Sequence, residues 1–376
     1  MSLEMTRRRF LSGLSAACAT ADVFASARIP RADQPTTHPA SFQLDPDHAK
    51  LAAEYSAANK GISMLAMVEG KVAFEDYPNG GRPDRPHELA SGTKSFCGAM
   101  AVAAAQDGLL NLDEAVCQTI AEWKDDPRRS RITIRQLLSL CSGIPGGQIG
   151  RPPEYADAIK VEAVAEPGTR FMYGPVPFQI FGELMRRKLA PKKLEPLEYL
   201  QQRIFEPIGL KVGSWRKGRD GQPHMPSGAL LTAREWAKYG QLVCQKGQWE
   251  GKQVLDADLL EECFRPSSAN PVYGMSWWMN RPVTLGQRLA NPVLNAADAQ
   301  GAPAELNDLV FAAGAGKQRL YVSRKLGLVV VRQATGILEA LAKGERGGFS
   351  DAAFLGLLLT GKPASRPQRE AGRNRS

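Results

Sequence analysis

Ser91 and Lys94 are the two side chains of this sequence whose types and spacing could carry covalent chemistry. They form an S-x-x-K tetrapeptide, and residues three apart on a helix share one face, with Cβ atoms about 5–6 Å apart. Lys94 can therefore reach the Ser91 hydroxyl, and burial would lower the pKa of its amine until it can accept a proton. Backbone N–H groups at a helix N-terminus also favour an oxyanion. The pattern predicts a serine nucleophile, although a helix-capping serine followed by a lysine has the same spacing.

The pair lies directly before a run that predicts the helix needed to position it. Residues Ser95–Gln106 are rich in alanine and apolar on every side, which indicates a helix buried all round. Two β-hairpins are predicted far from it, from Ile62–Val68 with Val72–Glu75 and from Arg319–Val322 with Leu328–Arg332. The other predicted helices are 47–59 with Asp47 as its cap, Ile134–Leu140, Gln179–Leu189, Pro196–Ile204, Ala233–Gln245 and Asp351–Thr360 with Ser350 as its cap.

These elements divide the body of the chain into two kinds of structure. Strands and a helix occur near each end, and helical patterns joined by Gly- and Pro-rich loops fill the middle. The predicted fold class is therefore α/β of the α+β type, with an antiparallel sheet flanked by N- and C-terminal helices and a mostly helical insertion. We predict one domain over residues 47–360, with its sheet part at about 47–90 and 270–360 and its helical part at about 91–269.

The termini have compositions that place them outside this domain. Residues 7–9 are three arginines ahead of a short apolar run, and residues 25–27 are Ala-Ser-Ala. A twin-arginine pair with such a cleavage site predicts a Tat-type signal peptide over 1–27, and hence an exported, periplasmic or secreted protein. A basic amphipathic helix is the alternative. Residues 28–46 predict an extended leader, and the Pro-, Arg- and Gly-rich residues 361–376 predict a basic disordered tail.

Charge and side-chain inventory exclude several classes of function. The net charge is +9, of which residues 1–27 carry +1 and residues 361–376 carry +4, which leaves +4 for the body. The body has no basic run with aromatic residues among it, so no nucleic-acid or membrane partner is predicted, and no later stretch is apolar enough to span a bilayer. The cysteines lack a C-x-x-C pair and the four histidines lack an H-E-x-x-H motif. No metal or organic cofactor is predicted, and most cysteines are expected to be small buried residues.

Six segments, in order along residues 50–360, resemble the serine β-lactamase and penicillin-binding protein family. The first, Glu88–Phe96, contains the S-x-x-K pair and resembles the nucleophile segment of that family. The others are Asp107–Asp113, Ile132–Pro145, Glu166–Tyr173, Gly228–Gly240 and Tyr273–Trp278. The sequence looks most like the class C branch with its related family VIII esterases, D-aminopeptidases and 6-aminohexanoate-oligomer hydrolases. The resemblance implies a β-lactamase/transpeptidase-like fold and hydrolysis through an acyl-enzyme.

The resemblance carries catalytic roles to three residues. Ser91 matches the acyl-accepting nucleophile, Lys94 matches its partner, and Tyr173 matches the tyrosine whose phenol shares protons with both. A phenol is a useful base near neutral pH only if a neighbouring cation lowers its pKa, and Lys94 would supply that cation. The Tyr-x-Asn motif of the family becomes Tyr-Gly-Pro, with Pro175 at the position that borders the substrate. Because that Asn helps to hold the amide side chain of a β-lactam, the proline favours esters or other amides.

The third family motif, Lys-Thr-Gly or His-x-Gly, also departs from the usual pattern. The matching stretch has no cation at the usual place, and its central residues are Gly314, Ala315 and Gly316. Glycines permit close approach of the backbone to a substrate, and an N–H near Ala315 can pair with that of the nucleophile as an oxyanion hole. Two options stay open for Lys317, which either restores a positive charge or points to solvent.

The leading hypothesis is a serine hydrolase that cleaves a small ester, amide or peptide-like substrate through a Ser91 acyl-enzyme. Two alternatives stay open, namely a β-lactamase or penicillin-binding D-Ala-D-Ala carboxypeptidase, and a binding protein of the same fold that has lost turnover. An α/β-hydrolase is not predicted, because the chain has no G-x-S-x-G elbow. Of the histidines, only His87 is retained as a candidate supporting residue. The sequence leaves the oligomeric state open.

Overall fold

The computed structural model describes residues 42–267, 269–284, 286–287, 299, 301–343 and 348–364. The predicted signal peptide, residues 28–41 of the leader and residues 365–376 of the tail lie outside the described residues, so these assignments stay predictions. The helices are α1 Pro46–Ala58, α2 Ser95–Gln106, α3 Ile134–Leu138, α4 Tyr155–Ala158, α5 Val176–Leu189, α6 Pro196–Leu200, α7 Ala233–Cys244, α8 Ala257–Glu261, α9 Ile337–Lys343 and α10 Asp351–Thr360. The strands are β1 Gly61–Val68, β2 Lys71–Asp76, β3 His87–Glu88, β4 Ser214–Trp215, β5 Ala229–Leu231, β6 Gln248–Trp249, β7 Lys252–Gln253, β8 Trp278–Met279, β9 Val310–Gly314, β10 Gln318–Ser323 and β11 Leu328–Ala334.

A six-stranded antiparallel sheet forms the centre of the described chain. Its spatial order is β2-β1-β11-β10-β9-β8, and every neighbouring pair is antiparallel. β1, from one end of the chain, pairs with β11 from the other, so that Leu65 lies opposite Val331. β9, β10 and β11 are buried along their whole length, as expected for strands covered by helices on both faces. The predicted fold class, with a sheet built from both ends of the chain, is confirmed.

Helices cover the two faces of this sheet in different ways. α1 and α10 pack together on one face, and α7 packs on β10 and β11 on the other. The alternation of side chains along a strand explains the division. Leu320 points towards α7, where a Cβ on Gly240 would lie 2.7 Å from Leu320 Cδ1. The side chains of Arg319 and Tyr321 point the opposite way and bind the Asp351 carboxylate at the start of α10.

The face that carries α7 also carries the S-x-x-K segment. The short strands β3, β5 and β4 form a second antiparallel sheet beside it, in that spatial order. A Cβ on Gly92 would lie 2.8 Å from Trp236 Cζ2 in α7, so the nucleophile segment and α7 are in direct contact. α7 lies in the range predicted as the helical part of the domain, yet it packs on the main sheet. Covering the apolar sheet residues requires an amphipathic helix from the middle of the chain.

Two helices have the predicted ends, and the others differ from the prediction. α3 ends at Leu138, two residues early, α7 ends one residue early at Cys244, and α6 ends at Leu200, where a π-helical turn, Gln201–Phe205, follows. α2 and α10 have the predicted bounds. α1 is capped by Asp45 rather than by the predicted Asp47, because Asp45 Oδ1 accepts from the Asp47 N–H at 2.8 Å. Pro46 then occupies the first turn, where its fixed φ favours a helix start. α5 begins at Val176, three residues before the predicted start, with Pro177 in its first turn.

The cysteines and the hydropathy of the helices add two observations. All five cysteines among the described residues are free thiols, and four of them are buried, namely Cys97, Cys141, Cys244 and Cys263. Burial raises the pKa of Cys97, Cys141, Cys244 and Cys263, as expected for the inert, apolar role predicted for most of the cysteines. Within the described ranges, no helix has the length and apolar character needed to cross a membrane.

Candidate active site

Ser91 and Lys94 lie in a 3₁₀ turn, Ala90–Lys94, that continues directly into α2. The sequence predicted an α-helical start at this place. A 3₁₀ turn has three residues per turn, so side chains three positions apart stack one above the other. Thr93 Oγ1 donates to the Ala90 carbonyl oxygen at 2.8 Å and holds the turn from within. The backbone therefore aligns Lys94 with Ser91 more directly than an α-helical turn would.

The Lys94 amine is buried and has few polar partners. Nζ donates to Ser91 Oγ at 2.9 Å and to the Pro226 carbonyl oxygen at 3.2 Å, and the residue is 4% exposed. Nζ also lies 5.1 Å from the ring centre of Tyr173 and 5.4 Å from that of Phe178. In the described part of the chain, no carboxylate forms an ion pair with Lys94. Burial lowers the pKa of Lys94 to about 7, so the amine is able to accept a proton near neutral pH.

Tyr173 lies beside Lys94 within a group of aromatic side chains. Its ring centre is 6.4 Å from that of Phe171, 6.3 Å from that of Tyr273 and 5.7 Å from that of Trp278. Tilted and edge-to-face pairs at such distances are favourable, so they hold the phenol ring next to the amine. The structure thus brings all three predicted catalytic residues together. Tyr273 and Trp278 belong to a segment that matched the family, but nothing in the sequence assigned them to the surroundings of Tyr173.

Pro175 lies two residues beyond Tyr173 and occupies the N-cap position of α5. Its carbonyl oxygen accepts from the N–H groups of Phe178 and Gln179, each at 3.2 Å. The Gln179 side-chain amide is the nearest amide along this helix, and it is already engaged, because Nε2 donates to the Pro153 carbonyl oxygen and Oε1 accepts from a backbone N–H. Neither residue therefore offers the free side-chain amide that the family usually has at this place.

Gly314 ends β9 directly against the nucleophile segment. A Cβ at this position would lie 2.1 Å from the Leu89 carbonyl oxygen, so only glycine fits without a backbone shift. β9 is therefore the strand beside the turn that carries Ser91. Ala315 and Gly316 follow in the turn between β9 and β10, where Gly316 has φ +72°. The predicted oxyanion segment and the predicted nucleophile thus lie side by side.

Lys317 takes neither of the two positions predicted for it. Its Nζ lies 3.9 Å from Asp351 Oδ2, on the face of the sheet that carries α10. A left-handed backbone with φ +62° and a hydrogen bond from Arg332 Nη1 to the Lys317 carbonyl oxygen fix this direction. The side chain is 17% exposed, and its contact with Asp351 directs the charge to the face of the sheet that carries α10.

His87 links two strands. Its Nε2 lies 2.9 Å from the Ala334 carbonyl oxygen at the end of β11, and burial lowers the pKa of the ring. This contact gives His87 a structural role at the edge of the main sheet. No set of three or more His, Cys, Asp or Glu side chains within the described ranges is placed to hold a metal ion.

Two contacts of Lys94 had no signal in the sequence. Pro226 contributes only a backbone carbonyl, which any residue could supply, and it lies 132 positions away in the chain. Phe178 contributes a ring in the first turn of α5, where an aromatic residue is ordinary core material.

Comparison with known proteins identifies the family. Residues 48–336 match the family model described as Beta-lactamase. Since this match covers most of the chain, the protein belongs to the β-lactamase family. The predicted resemblance is therefore confirmed.

Individual relatives are distant. Protein flp of Staphylococcus aureus (strain MW2) is 27% identical over 177 residues, which cover 42% of this chain and 35% of that protein, so the chain matches about a third of the length of this relative. A family VIII carboxylesterase structure has a TM-score of 0.62 at 15% identity and covers 84% of this chain and 99% of its own. A putative 6-aminohexanoate-dimer hydrolase from Bacillus anthracis has a TM-score of 0.60 at 19% identity and covers 77% and 79%. At these identities the solved structures support the fold alone.

Proposed function

We propose that the protein cleaves an ester or an amide through an acyl-enzyme formed on Ser91, with Lys94 and Tyr173 as the general base and acid. The observation that carries this proposal is the buried Lys94 amine, 2.9 Å from Ser91 Oγ. A lysine that is desolvated in this way is a base near neutral pH, and a serine within hydrogen-bond reach of a base is an activated nucleophile.

Protons balance over the proposed catalytic cycle. The unprotonated Lys94 amine accepts the hydroxyl proton while Ser91 Oγ forms a bond to the carbonyl carbon of the substrate. The tetrahedral intermediate then releases its alcohol or amine, which takes up a proton delivered from Lys94 through the Tyr173 hydroxyl. Water next gives a proton to the same groups and attacks the acyl carbon, and the acid leaves as Ser91 Oγ regains its proton. One water is consumed and the enzyme is restored.

The charge that develops on the carbonyl oxygen needs donors, and we assign the N–H groups of Ser91 and Ala315. The close contact of Gly314 with the Leu89 carbonyl oxygen supports this assignment, because a side chain there would push β9 away from the nucleophile. One such donor is worth about 10²–10³ in kcat in acyl-transfer enzymes.

Two observations favour an ester or a simple amide over a β-lactam. Pro175 stands where the family has Asn, and the nearby Gln179 amide is engaged in two other hydrogen bonds. Cleavage of β-lactams or of D-Ala-D-Ala peptides is the alternative activity, and binding without turnover is the second alternative.

A substrate panel tests the proposal. p-Nitrophenyl acetate, nitrocefin and D-alanine p-nitroanilide are compared on the unsubstituted protein, on Ser91→Ala and on Ser214→Ala, which alters an exposed serine of β4. We expect ester turnover by the unsubstituted protein and by Ser214→Ala, and none by Ser91→Ala. Efficient nitrocefin cleavage would contradict the choice of an ester or simple amide. Undiminished turnover by Ser91→Ala would contradict the nucleophile assignment, and binding without any turnover would favour the third hypothesis.

A further inference from the structure

Helix α9 connects the two walls of the candidate active site. Its first residue, Ile337, lies against the β9–β10 turn, where a Cβ on Gly316 would be 3.1 Å from the Ile337 nitrogen. Near its other end, Leu341 lies against a glycine-rich loop, where a Cβ on Gly150 would be 3.2 Å from Leu341 Cδ1. The helix therefore reaches from the predicted oxyanion segment to residues 146–150.

The loop at the far end of α9 is the one that supports Tyr173. A Cβ on Gly146 would lie 2.2 Å from the Tyr173 carbonyl oxygen, and Val176 donates its N–H to the Gly146 carbonyl oxygen at 3.0 Å. One wall of the cleft thus carries the oxyanion turn, and the other carries the phenol. α9 therefore contacts both the turn beside the nucleophile segment and the loop that supports Tyr173.

The side of α9 that faces this loop is apolar. Leu338 and Leu341 are three positions apart and share one face, and they are 78% and 37% exposed. Glu339 lies on the opposite side, where it accepts from Lys60 Nζ at 2.6 Å. Ile149, which precedes Gly150 in this loop, is 48% exposed. Three of the six most exposed large apolar side chains in the described residues therefore lie at this one place, although such side chains are costly to leave in water.

We propose that Leu338, Leu341 and Ile149 form an apolar subsite at the cleft mouth that receives a medium-length alkyl acyl chain of the substrate. This inference rests on the proposed function, because it assumes an acyl group on Ser91. An alkyl chain attached to that serine leaves the cleft past the oxyanion turn and meets the apolar face of α9. Burial of its methylenes against three aliphatic side chains gives a gain with each added carbon. The substrate class is thus an ester or amide of a medium-chain carboxylic acid.

The test compares chain lengths within one ester series. kcat/KM is measured with p-nitrophenyl acetate and p-nitrophenyl octanoate for the unsubstituted protein, Leu338→Ser, Leu338→Met and Val72→Ser. Val72 is the matched control, because it is 51% exposed on the edge strand β2. We expect the unsubstituted protein to prefer octanoate. The octanoate-to-acetate ratio should fall about tenfold in Leu338→Ser and persist in Leu338→Met and Val72→Ser.

Two results would overturn the subsite. One is an unchanged ratio in both Leu338→Ser and Leu341→Ser, with thermal unfolding showing that each variant is folded. The other is an equal fall in Val72→Ser, which would indicate a general effect of surface hydrophobicity. Failure of the proposed function looks different, because acetate turnover would then be absent or would survive Ser91→Ala.

Discussion

Two buried cationic side chains lie on opposite faces of the same sheet. One is paired with a carboxylate, and the other has only uncharged hydrogen-bond partners among the described residues. Arg319 is 1% exposed and donates from Nε and Nη2 to the two oxygens of Asp351, at 2.6 and 3.2 Å. Burial alone would raise the pKa of the Asp351 carboxyl, but Arg319 and Lys317 hold it below its ordinary value. Lys94 is as deeply buried, and its described hydrogen-bond partners are a hydroxyl and a carbonyl oxygen.

The contrast separates a stabilising cluster from a reactive one. A buried ion pair fixes the charge of both partners, so neither exchanges protons near neutral pH. Desolvation lowers the pKa of a buried amine that has no carboxylate partner. The amine is then suited to proton transfer, but its burial costs folding free energy. Enzymes commonly tolerate such a cost at the site of reaction. The two faces of the sheet should therefore respond to substitution in opposite ways.

Removal of the Lys94 charge should produce the largest loss of activity. In Lys94→Met the proton acceptor is lost while the shape of the side chain is nearly kept, so kcat/KM for an ester should fall by about 10³-fold. The midpoint of thermal unfolding should stay the same or rise, because a desolvated charge has been removed. Lys238→Met, which alters a lysine paired with Glu235 on α7, is the control and should leave both quantities near their original values.

Removal of the Asp351 charge should produce the converse result. Asp351→Asn leaves Arg319 buried beside a neutral partner, so the free energy of unfolding should fall by about 3–5 kcal/mol. Urea denaturation measures this loss. Ester turnover per folded molecule should persist, since the carboxylate lies on the face of the sheet opposite Ser91. An Asp351→Asn variant that keeps its stability but loses turnover would contradict the assignment of Asp351 to the stabilising cluster.

The two neighbouring tyrosines offer a smaller and matched contrast. Tyr173→Phe removes the proposed proton relay, and kcat should fall by about 10²-fold. Tyr273→Phe removes a buried hydroxyl that has no hydrogen-bond partner in the described residues. The free energy of unfolding should therefore be unchanged or about 1 kcal/mol higher, and turnover should remain. Equal losses of kcat in both variants would indicate that the ring packing matters rather than the Tyr173 hydroxyl.

The pH profile should show the state of the amine. The pKa of Lys94 is lowered to about 7, and only the unprotonated amine accepts a proton. kcat/KM, which reports the free enzyme, should therefore rise with pH, about tenfold per unit below pH 7, and level off above it. The free energy of unfolding should also rise with pH. The unfolded chain binds the Lys94 proton more tightly than the folded chain does, so the contribution of this group increases from pH 7 up to the ordinary pKa of lysine.

The sequence predicted the parts of the fold that depend on local patterns. Hydropathy periods and caps defined α2 and α10, and the order of family-like segments brought Tyr173 to Ser91 and Lys94. Features that depend on distant contacts were not accessible in this way. The direction of Lys317 follows from its left-handed backbone and from Asp351 in another helix. The Ser91 turn approaches Trp236 of α7, which is 145 positions further along the chain than Ser91.

The most direct test of the central claim is to locate the covalent adduct. The protein is treated with a fluorophosphonate, digested and analysed by peptide mass spectrometry, with Ser91→Ala treated in parallel. We expect one phosphonylated peptide, with the adduct on Ser91, and no adduct in the folded Ser91→Ala protein. An adduct on a different residue, or equal labelling of the two proteins, would contradict the central claim.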